Sequence, residues 1–188
     1  KAYSAANIKI DSKGVWLTAS EMAFCRAEGA LAGWSNMGGS AKDLYEEGVK
    51  LSFEQWGAGS ATAYLADNTS TEKNYVDPIS EYGGDVSAVS NITIKWDDSA
   101  TDEQKMERLI TQKWIAMFPN GQEGWSEIRR TGYPKVFPLA QSTDYSIQVA
   151  NRIPFDIDEA TNNKANYIKA VQLLKGNDDY ATKMWWQR

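Results

Sequence analysis

Two carboxylates and two guanidinium groups lie together in the short stretch from Gln122 to Arg130. Glu123 and Glu127 are four residues apart, which on a helix puts both carboxylates on one face, at about the separation found in retaining glycosidases. Arg129 and Arg130 follow directly, and half-buried guanidinium groups need carboxylate partners. We favour a structural ion-pair network of these four residues, and a glycoside hydrolase using Glu123 and Glu127 is the alternative.

Several other chemistries are excluded by residue type. The chain has no His, so it cannot supply a Ser-His-Asp triad, a Cys-His pair or a His-ligated metal site. The single cysteine, Cys25, stands in an apolar helical pattern and is expected to be a buried structural thiol. Because we favour the ion-pair network, we expect no catalytic residue, and we also expect no metal and no cofactor. A net charge of -5 with scattered Lys and Arg argues against a nucleic-acid partner.

Apolar spacing predicts two helices at the start of the chain, over Thr18 to Trp34 and Ala41 to Trp56, with a glycine stop at Gly57. Two such helices joined by a short turn form an antiparallel hairpin. In the second helix, Ala41, Tyr45 and Gly48 fit part of the tetratricopeptide pattern. In the first helix, Gly29 is the small residue that the same pattern requires.

A single tetratricopeptide-like pair cannot bury its own apolar face, because stacked neighbours supply the core. Either the rest of this chain covers that face or neighbouring repeats do. Because nothing later in the chain offers a matching helix pair, we expect Phe24, Leu44 and Phe53 to need cover from a preceding part of the protein. Without that part, the chain is expected to expose an apolar patch larger than monomers tolerate.

The stretch from Gly57 to Asp98 is polar and irregular, and only Asn91 to Trp96 alternates like a short strand. Long connections of this kind are often functional. Aromatic residues make up 12% of the sequence, which suits either large packed cores or flat faces for sugar rings. The candidate ligand-binding residues are therefore Tyr64, Tyr75, Tyr82 and Asn74, with the alternative that the platform lies on a preceding part of the protein.

Beyond residue 98 the pattern is again helical but interrupted. Thr101 opens a helix with Gln104 as its capping-box partner, and a break follows at Pro119 to Gly121. Shorter helices are predicted over Gln122 to Arg130 and over Asn166 to Leu174, and Gly176 is the expected glycine stop after the second of them. Six tryptophans in amphipathic or turn-rich contexts are expected in the core: Trp16, Trp34, Trp114, Trp125, Trp185 and Trp186. The predicted fold class is mainly α, with a tetratricopeptide-like helix hairpin followed by an irregular, loop-rich helical region with little strand.

The stretch QKWIAMFPNGQEGWSEIRRTGYPKVFP, with ITIKWDDSATDEQKMERLI before it and RIPF and MWW after it, resembles the C-terminal half of the SusD/RagB family of outer-membrane lipoproteins. RAEGALAGW and AKDLYEEGVKLSFEQWG resemble the last tetratricopeptide-like pair of that family. The family often has two Arg residues before a Leu-Pro pair, whereas in this chain a single Arg152 precedes Ile153 and Pro154. That departure lies in a connecting loop.

The resemblance implies a function and a setting. Family members capture oligosaccharides without hydrolysing them, at the outer face of the outer membrane, as lids over a SusC-like TonB-dependent transporter. The resemblance also implies a longer protein with a lipidated N-terminal Cys and further helix pairs before Lys1. Residues 1–188 are then the C-terminal portion of one SusD-like domain, with the helix pair at 18–56, the polar connection at 57–98 and the irregular helical region at 99–188. A ligand-free interaction scaffold remains a further alternative.

Overall fold

The computed structural model describes residues 8–12, 14–78, 84–137 and 149–187. Its described part contains seven helices and no β-strand beyond one isolated antiparallel bridge between Tyr75 and Val86. The mainly helical fold class predicted from the sequence is therefore confirmed. The helices are α1 (Ala19–Leu31), α2 (Ala41–Trp56), α3 (Thr62–Ala66), α4 (Asp102–Ala116), α5 (Gly121–Thr131), α6 (Ile157–Asn162) and α7 (Lys164–Leu174).

Helices α1 and α2 form the hairpin, and both begin at side-chain caps. The Thr18 hydroxyl oxygen accepts from the backbone N–H of Glu21 at 3.0 Å, and the Ser40 hydroxyl oxygen accepts from that of Asp43 at 3.1 Å. Such caps satisfy backbone donors that a helix start leaves free. Helix α2 ends at Gly57 with φ of 63°, a left-handed conformation that glycine adopts without strain.

A close approach at Gly48 joins the two helices of the hairpin. A Cβ added to Gly48 would lie 2.8 Å from the ring of Phe24, so any residue other than glycine would clash with this ring. The Ser20 hydroxyl donates to the Gly48 carbonyl oxygen at 2.7 Å across the same contact. The small residue that the tetratricopeptide pattern requires is thus explained by packing.

The hairpin is covered by later parts of the same chain, which is the alternative that the sequence analysis did not favour. Phe24 and Leu44 are fully buried, together with Leu109 and Ile110 of α4, and Trp96 packs 5.2 Å from the ring of Tyr45. The expectation that Phe24 and Leu44 require a preceding part of the protein was wrong, because α4 and Trp96 take that place. Burying such a side chain stabilises the fold by about 1.5–3 kcal/mol.

Helix α4 begins with the capping box expected at Thr101. The Thr101 hydroxyl oxygen accepts from the Gln104 N–H, and the Gln104 side-chain oxygen accepts from the Thr101 N–H at 3.0 Å. The stretch Asn91 to Trp96 is not a strand, because no partner strand pairs with it among the described residues. Instead, the Tyr45 hydroxyl donates to the Ile94 carbonyl oxygen at 2.6 Å and fixes this stretch on the hairpin.

The short helices α3 and α6 were not predicted, and α7 begins two residues earlier than expected, at Lys164. It ends at Leu174 as expected, but the left-handed residue that follows is Lys175, with φ of 55°, and not Gly176. Each of the two short helices has only five or six residues, too few for a hydrophobic period to show in the sequence. Their formation depends on contacts with the rest of the chain.

Five of the six tryptophans expected in the core are instead exposed. The exposed fractions are 92% for Trp16 and Trp185, 69% for Trp34, 41% for Trp114 and 38% for Trp186, and Trp125 is half-buried. Cys25 is exposed as well, so the prediction of a buried thiol was wrong. Helical spacing identifies an apolar face, but it does not say which of several neighbouring faces meets the core of this chain.

The C-terminal residues are attached to α5 by polar and aromatic contacts. The guanidinium carbon of Arg129 lies 3.9 Å from the ring centre of Trp125 and 4.6 Å from that of Trp186, which is cation–π stacking on two rings. The Trp125 indole N–H donates to the Ala150 carbonyl oxygen at 2.6 Å. Arg152 pairs with Asp178 at 2.5 Å, and these contacts hold the chain end beside α5. None of the helices in the described ranges is long and apolar enough to cross a bilayer.

Candidate functional site

A cleft of about 530 Å³ opens between the polar connection, α4 and the segment 134–137. We call it the connection cleft. Its walls come from three parts of the chain that are far apart in sequence, and its lining is mostly apolar with a few polar groups. Ligand sites of proteins have this size and character.

Helix α4 supplies one wall of the connection cleft. Arg108, Thr111, Gln112 and Ile115 line it, and their i, i+3, i+4, i+7 spacing places them on one face of the helix. Trp114 stands at the edge of this face with 41% of its surface exposed. The same helix therefore turns one face to the hairpin core and a second face to the cleft.

Arg108 is buried, and its guanidinium nitrogens differ in whether they have a hydrogen-bond partner among the described residues. Its Nε donates to the Thr93 carbonyl oxygen at 2.8 Å, which holds the stretch 91–96 on α4. Its Nη1 has no hydrogen-bond partner among the described residues and is not accessible to solvent. Arg108 thus anchors the wall of the cleft, and its buried nitrogen does not face the open space.

A network around Glu107 joins the three walls. Glu107 Oε1 accepts from the Ser90 hydroxyl at 2.6 Å, and Lys135 Nζ lies 3.1 Å from Glu107 Oε2. Glu72 accepts from the backbone N–H groups of Val89 and Ser90 at 2.7 and 2.9 Å. The connection, α4 and the segment 134–137 are therefore tied together around the cleft.

Tyr64, one of the residues proposed from the sequence, lines the connection cleft. Its hydroxyl donates to Gln112 Oε1 at 3.0 Å, and its ring packs 5.2 Å from that of Phe53. Burial raises the pKa of Tyr64 above its ordinary value, which the hydrogen bond to Gln112 only partly offsets. The hydroxyl therefore stays a proton donor at physiological pH.

Tyr75 and Asn74, which were also proposed from the sequence, do not line the cleft. Tyr75 pairs its backbone with Val86 at 2.8 and 2.9 Å, and its ring is 6.0 Å from Phe137, which does line the cleft. Asn74 Oδ1 accepts from the Ala88 N–H at 2.9 Å and supports the loop. Tyr82 lies outside the described residues.

The acidic and basic residues of α5 do not form one closed group. Glu127 is buried and pairs with Lys113 Nζ at 2.6 Å through Oε1 and with Arg130 Nη2 at 2.7 Å through Oε2. Arg130 also binds Glu28 of α1 through both of its carboxylate oxygens. The sequence did not point to Lys113 or Glu28 as partners.

Arg129 and Glu123 stand apart from these ion pairs. Arg129 stacks on tryptophan rings, as described above, and its buried Nε has no hydrogen bond in the described part of the chain. Glu123 lines a second cavity of about 410 Å³ with Glu21, Lys113 and Cys25, and no ion pair is formed by Glu123 within the described ranges. The spacing of Glu123 and Glu127 on one helix thus did not bring them into one network.

Burial shifts the pKa of Glu21 upward. Desolvation is the largest cause, the Lys113 ammonium opposes it, and the negative charges of Glu123 and Glu127 add to it. The pKa of Lys113 is also raised, because its hydrogen bond and charge attraction to Glu127 outweigh the desolvation that would lower it. Lys113 therefore stays charged at neutral pH. No group of three acidic or Cys side chains suited to a metal occurs in the part of the chain that the structure describes.

The fold and the cleft define an all-helical protein of the tetratricopeptide-like class. The family model described as SusD-like, Susd and RagB outer membrane lipoprotein, matches residues 1–187. The chain belongs to this family, and the resemblance seen in its sequence is confirmed. No curated protein matches it.

Solved structures of SusD homologues resemble the chain closely. A chitin-binding SusD homologue from Flavobacterium johnsoniae is 47% identical with a TM-score of 0.79, over 91% of this chain and 36% of that one. A SusD-like protein from Bacteroides thetaiotaomicron is 49% identical with a TM-score of 0.80, over 89% and 36%. A second homologue from that organism is 43% identical with a TM-score of 0.89, over 100% and 41%. The chain thus spans well under half the length of these relatives.

Proposed function

We propose that this chain is part of a cell-surface protein that captures oligosaccharides and delivers them to a SusC-like TonB-dependent transporter. Membership of the SusD-like family supports this function. One homologue that is 47% identical is described as chitin-binding, and the proposal extends glycan binding to this protein. The family consists of outer membrane lipoproteins, so we place the protein at the outer membrane, facing the exterior on a lipid anchor.

The observation that carries the proposal within this chain is the connection cleft. It combines an aromatic and aliphatic lining with hydrogen-bonding groups at its wall, including Tyr64 and Gln112. A pyranose needs this combination, because its C–H face is apolar and its edge carries hydroxyls. Tyr75, Asn74 and Tyr82 remain proposed ligand residues of the neighbouring loop.

We propose capture without hydrolysis. Both carboxylate oxygens of Glu127 are engaged by cations at 2.6 and 2.7 Å, and the residue is buried. A carboxylate whose two oxygens both contact cations is not free to attack an anomeric carbon. This geometry supports a structural role for Glu127 and disfavours the hydrolase alternative.

We further propose that residues 1–188 form the C-terminal portion of one SusD-like domain, packed against a preceding part of the same protein. Five large apolar side chains just before α1 are exposed in this chain, and monomers rarely leave so dense a group uncovered. They are Ile8, Ile10, Val15, Trp16 and Leu17. Further tetratricopeptide-like pairs would cover them.

Glycan-array screening of the full-length protein, followed by calorimetry on the best ligand, tests this function. Tyr64→Ala should weaken binding about tenfold through loss of ring contact and of its hydroxyl, and Trp185→Ala, which removes an exposed ring elsewhere, should not. A reducing-sugar assay after long incubation should find no cleavage. A blank array, or products that vanish in Glu123→Gln, would contradict the proposal.

Copurification with the transporter tests delivery separately. The full-length protein should associate with a SusC-like barrel isolated from the same outer membrane, with or without glycan. Glycan binding without any such association would leave capture intact and refute delivery.

A further inference from the structure

A second aromatic surface lies beside the connection cleft, in a depression of about 600 Å³. We call it the aromatic depression and define it by Trp56, Trp114 and Phe118, with Ser52 and Asn120 at its rim. Its three rings come from the end of α2, from α4 and from the turn before α5. They are exposed by 50%, 41% and 51%.

The rings form an angled cup. Trp56 and Phe118 have ring centres 6.0 Å apart at an interplanar angle of 54°, so their faces do not stack on each other. The indole of Trp114 lies over the backbone of Gly124, where a Cβ would be 3.0 Å from its Nε1. Gly124 therefore sets the position of the Trp114 ring.

Polar groups at the rim have no partner of their own. Within the described residues, no hydrogen bond is made by the indole N–H groups of Trp56 and Trp114, by the Ser52 hydroxyl or by the side-chain NH₂ of Asn120. The Asn120 side-chain oxygen is used, since it accepts from the Glu123 N–H at 3.3 Å. Apolar faces edged by free donors match the surface of a sugar ring.

The charge of the lining indicates the class of sugar. None of the nine residues that line the aromatic depression is charged. An acidic sugar would leave its carboxylate there without a cation, at a desolvation cost. The depression therefore favours neutral pyranoses.

Trp114 and Ile115 line both the connection cleft and the aromatic depression. The two sites are therefore continuous along one side of α4. We propose that the aromatic depression is a second subsite for neutral oligosaccharides, so that one extended ligand runs from the connection cleft across Trp114 to Trp56 and Phe118. This inference rests on the proposed function of glycan capture.

The test compares ligand lengths in the full-length protein. Calorimetry is run on wild type, Trp56→Ala, Phe118→Ala and Trp185→Ala. The ligands are the disaccharide and the hexasaccharide of chitin, together with those of any neutral glycan that the array identifies. Trp56→Ala and Phe118→Ala should each weaken hexasaccharide binding about tenfold and leave disaccharide binding within about twofold. Trp185→Ala should change neither, and Trp56→Phe, which keeps a ring, should recover part of the loss. Trp114 is not used, because it belongs to both sites.

The outcomes separate this inference from the function on which it rests. Equal hexasaccharide affinity in wild type, Trp56→Ala and Phe118→Ala overturns the second subsite and leaves glycan capture standing. The same result with lowered melting temperatures assigns the depression to packing against another part of the protein and likewise overturns it. Binding restricted to acidic glycans overturns the neutral class. Failure of wild type to bind any glycan refutes the proposed function and the subsite together.

Discussion

Lys113 Nζ lies 2.6 Å from Glu127 Oε1, and both side chains are at least 95% buried. This pair joins α4 to α5 beneath the surface of the molecule. Two buried charges stabilise each other only while both are present. If one is removed, the other remains desolvated without a compensating attraction.

We expect Glu127→Gln to destabilise the protein by about 3–5 kcal/mol, because it removes the carboxylate in direct contact with the buried Lys113 ammonium. Chemical denaturation measures this. Arg130→Ala is the matched control. Its side chain is 42% exposed and Lys113 keeps its partner, so its loss should be about 1 kcal/mol or less. A loss of about 1 kcal/mol or less in Glu127→Gln would show that Lys113 is compensated by another carboxylate, such as that of Glu21.

Glu21→Gln should stabilise the protein at neutral pH and have no effect in acid. The folded state raises the pKa of Glu21, chiefly through desolvation. The charged form is therefore disfavoured by folding, and the stability present below its ordinary pKa is lost as pH rises through the folded pKa. Glutamine removes this loss. Melting temperatures from pH 3 to pH 8 test the sign, and a lower melting temperature of the variant at pH 8 would contradict it.

Asp178→Asn should show the opposite pH dependence. Burial alone would raise the pKa of Asp178, but hydrogen bonds from Arg152, from the Phe155 N–H and from Tyr167 outweigh it and lower the pKa below its ordinary value of 3.8. The stabilising charge is present above that value and is lost as pH falls through the folded pKa. The deficit of the variant at pH 7 should therefore shrink below pH 4. A deficit that is constant from pH 7 to pH 2 would mean that Arg152 does not depend on the carboxylate charge.

Gly48→Ala should destabilise the hairpin by about 1–3 kcal/mol through overpacking. The added Cβ would lie 2.8 Å from the Phe24 ring, which is fully buried. Gly121→Ala is the control, because it is also helical but meets nothing within 4 Å, and it should be neutral or stabilising by up to about 1 kcal/mol. Similar melting temperatures in the two variants would show that the Phe24 ring can shift.

Sequence patterns predicted the local structure well. The bounds of α2, the capping box at Thr101 and the glycine stop at Gly57 follow from local chemistry, because caps and left-handed stops act within a few residues. The role of α4 was only half predicted. Its start at Thr101 was predicted, but the spacing of Arg108, Thr111, Gln112 and Ile115, which line the cleft, was a signal in the sequence that was not used.

Long-range partners were not predictable in the same way. Lys113 and Glu28 join Glu127 and Arg130 across elements up to 102 residues apart, and charge spacing along one helix carries no information on such contacts. The prediction that six tryptophans lie in the core was wrong for a related reason. An amphipathic pattern identifies an apolar side chain, but its cover depends on whatever packs against that face.

The distribution of the eight tryptophans has a spectroscopic consequence. Only Trp96 is buried in this chain, at 7% exposure beside Tyr45, whereas Trp16, Trp34, Trp56 and Trp185 are half or more exposed. Indoles in contact with water emit at long wavelength whether or not the chain is folded. Unfolding of this chain should therefore change the emission maximum only slightly, while a ligand that covers Trp56 and Trp114 should shift it to shorter wavelength. Intrinsic fluorescence should report binding more sensitively than it reports folding.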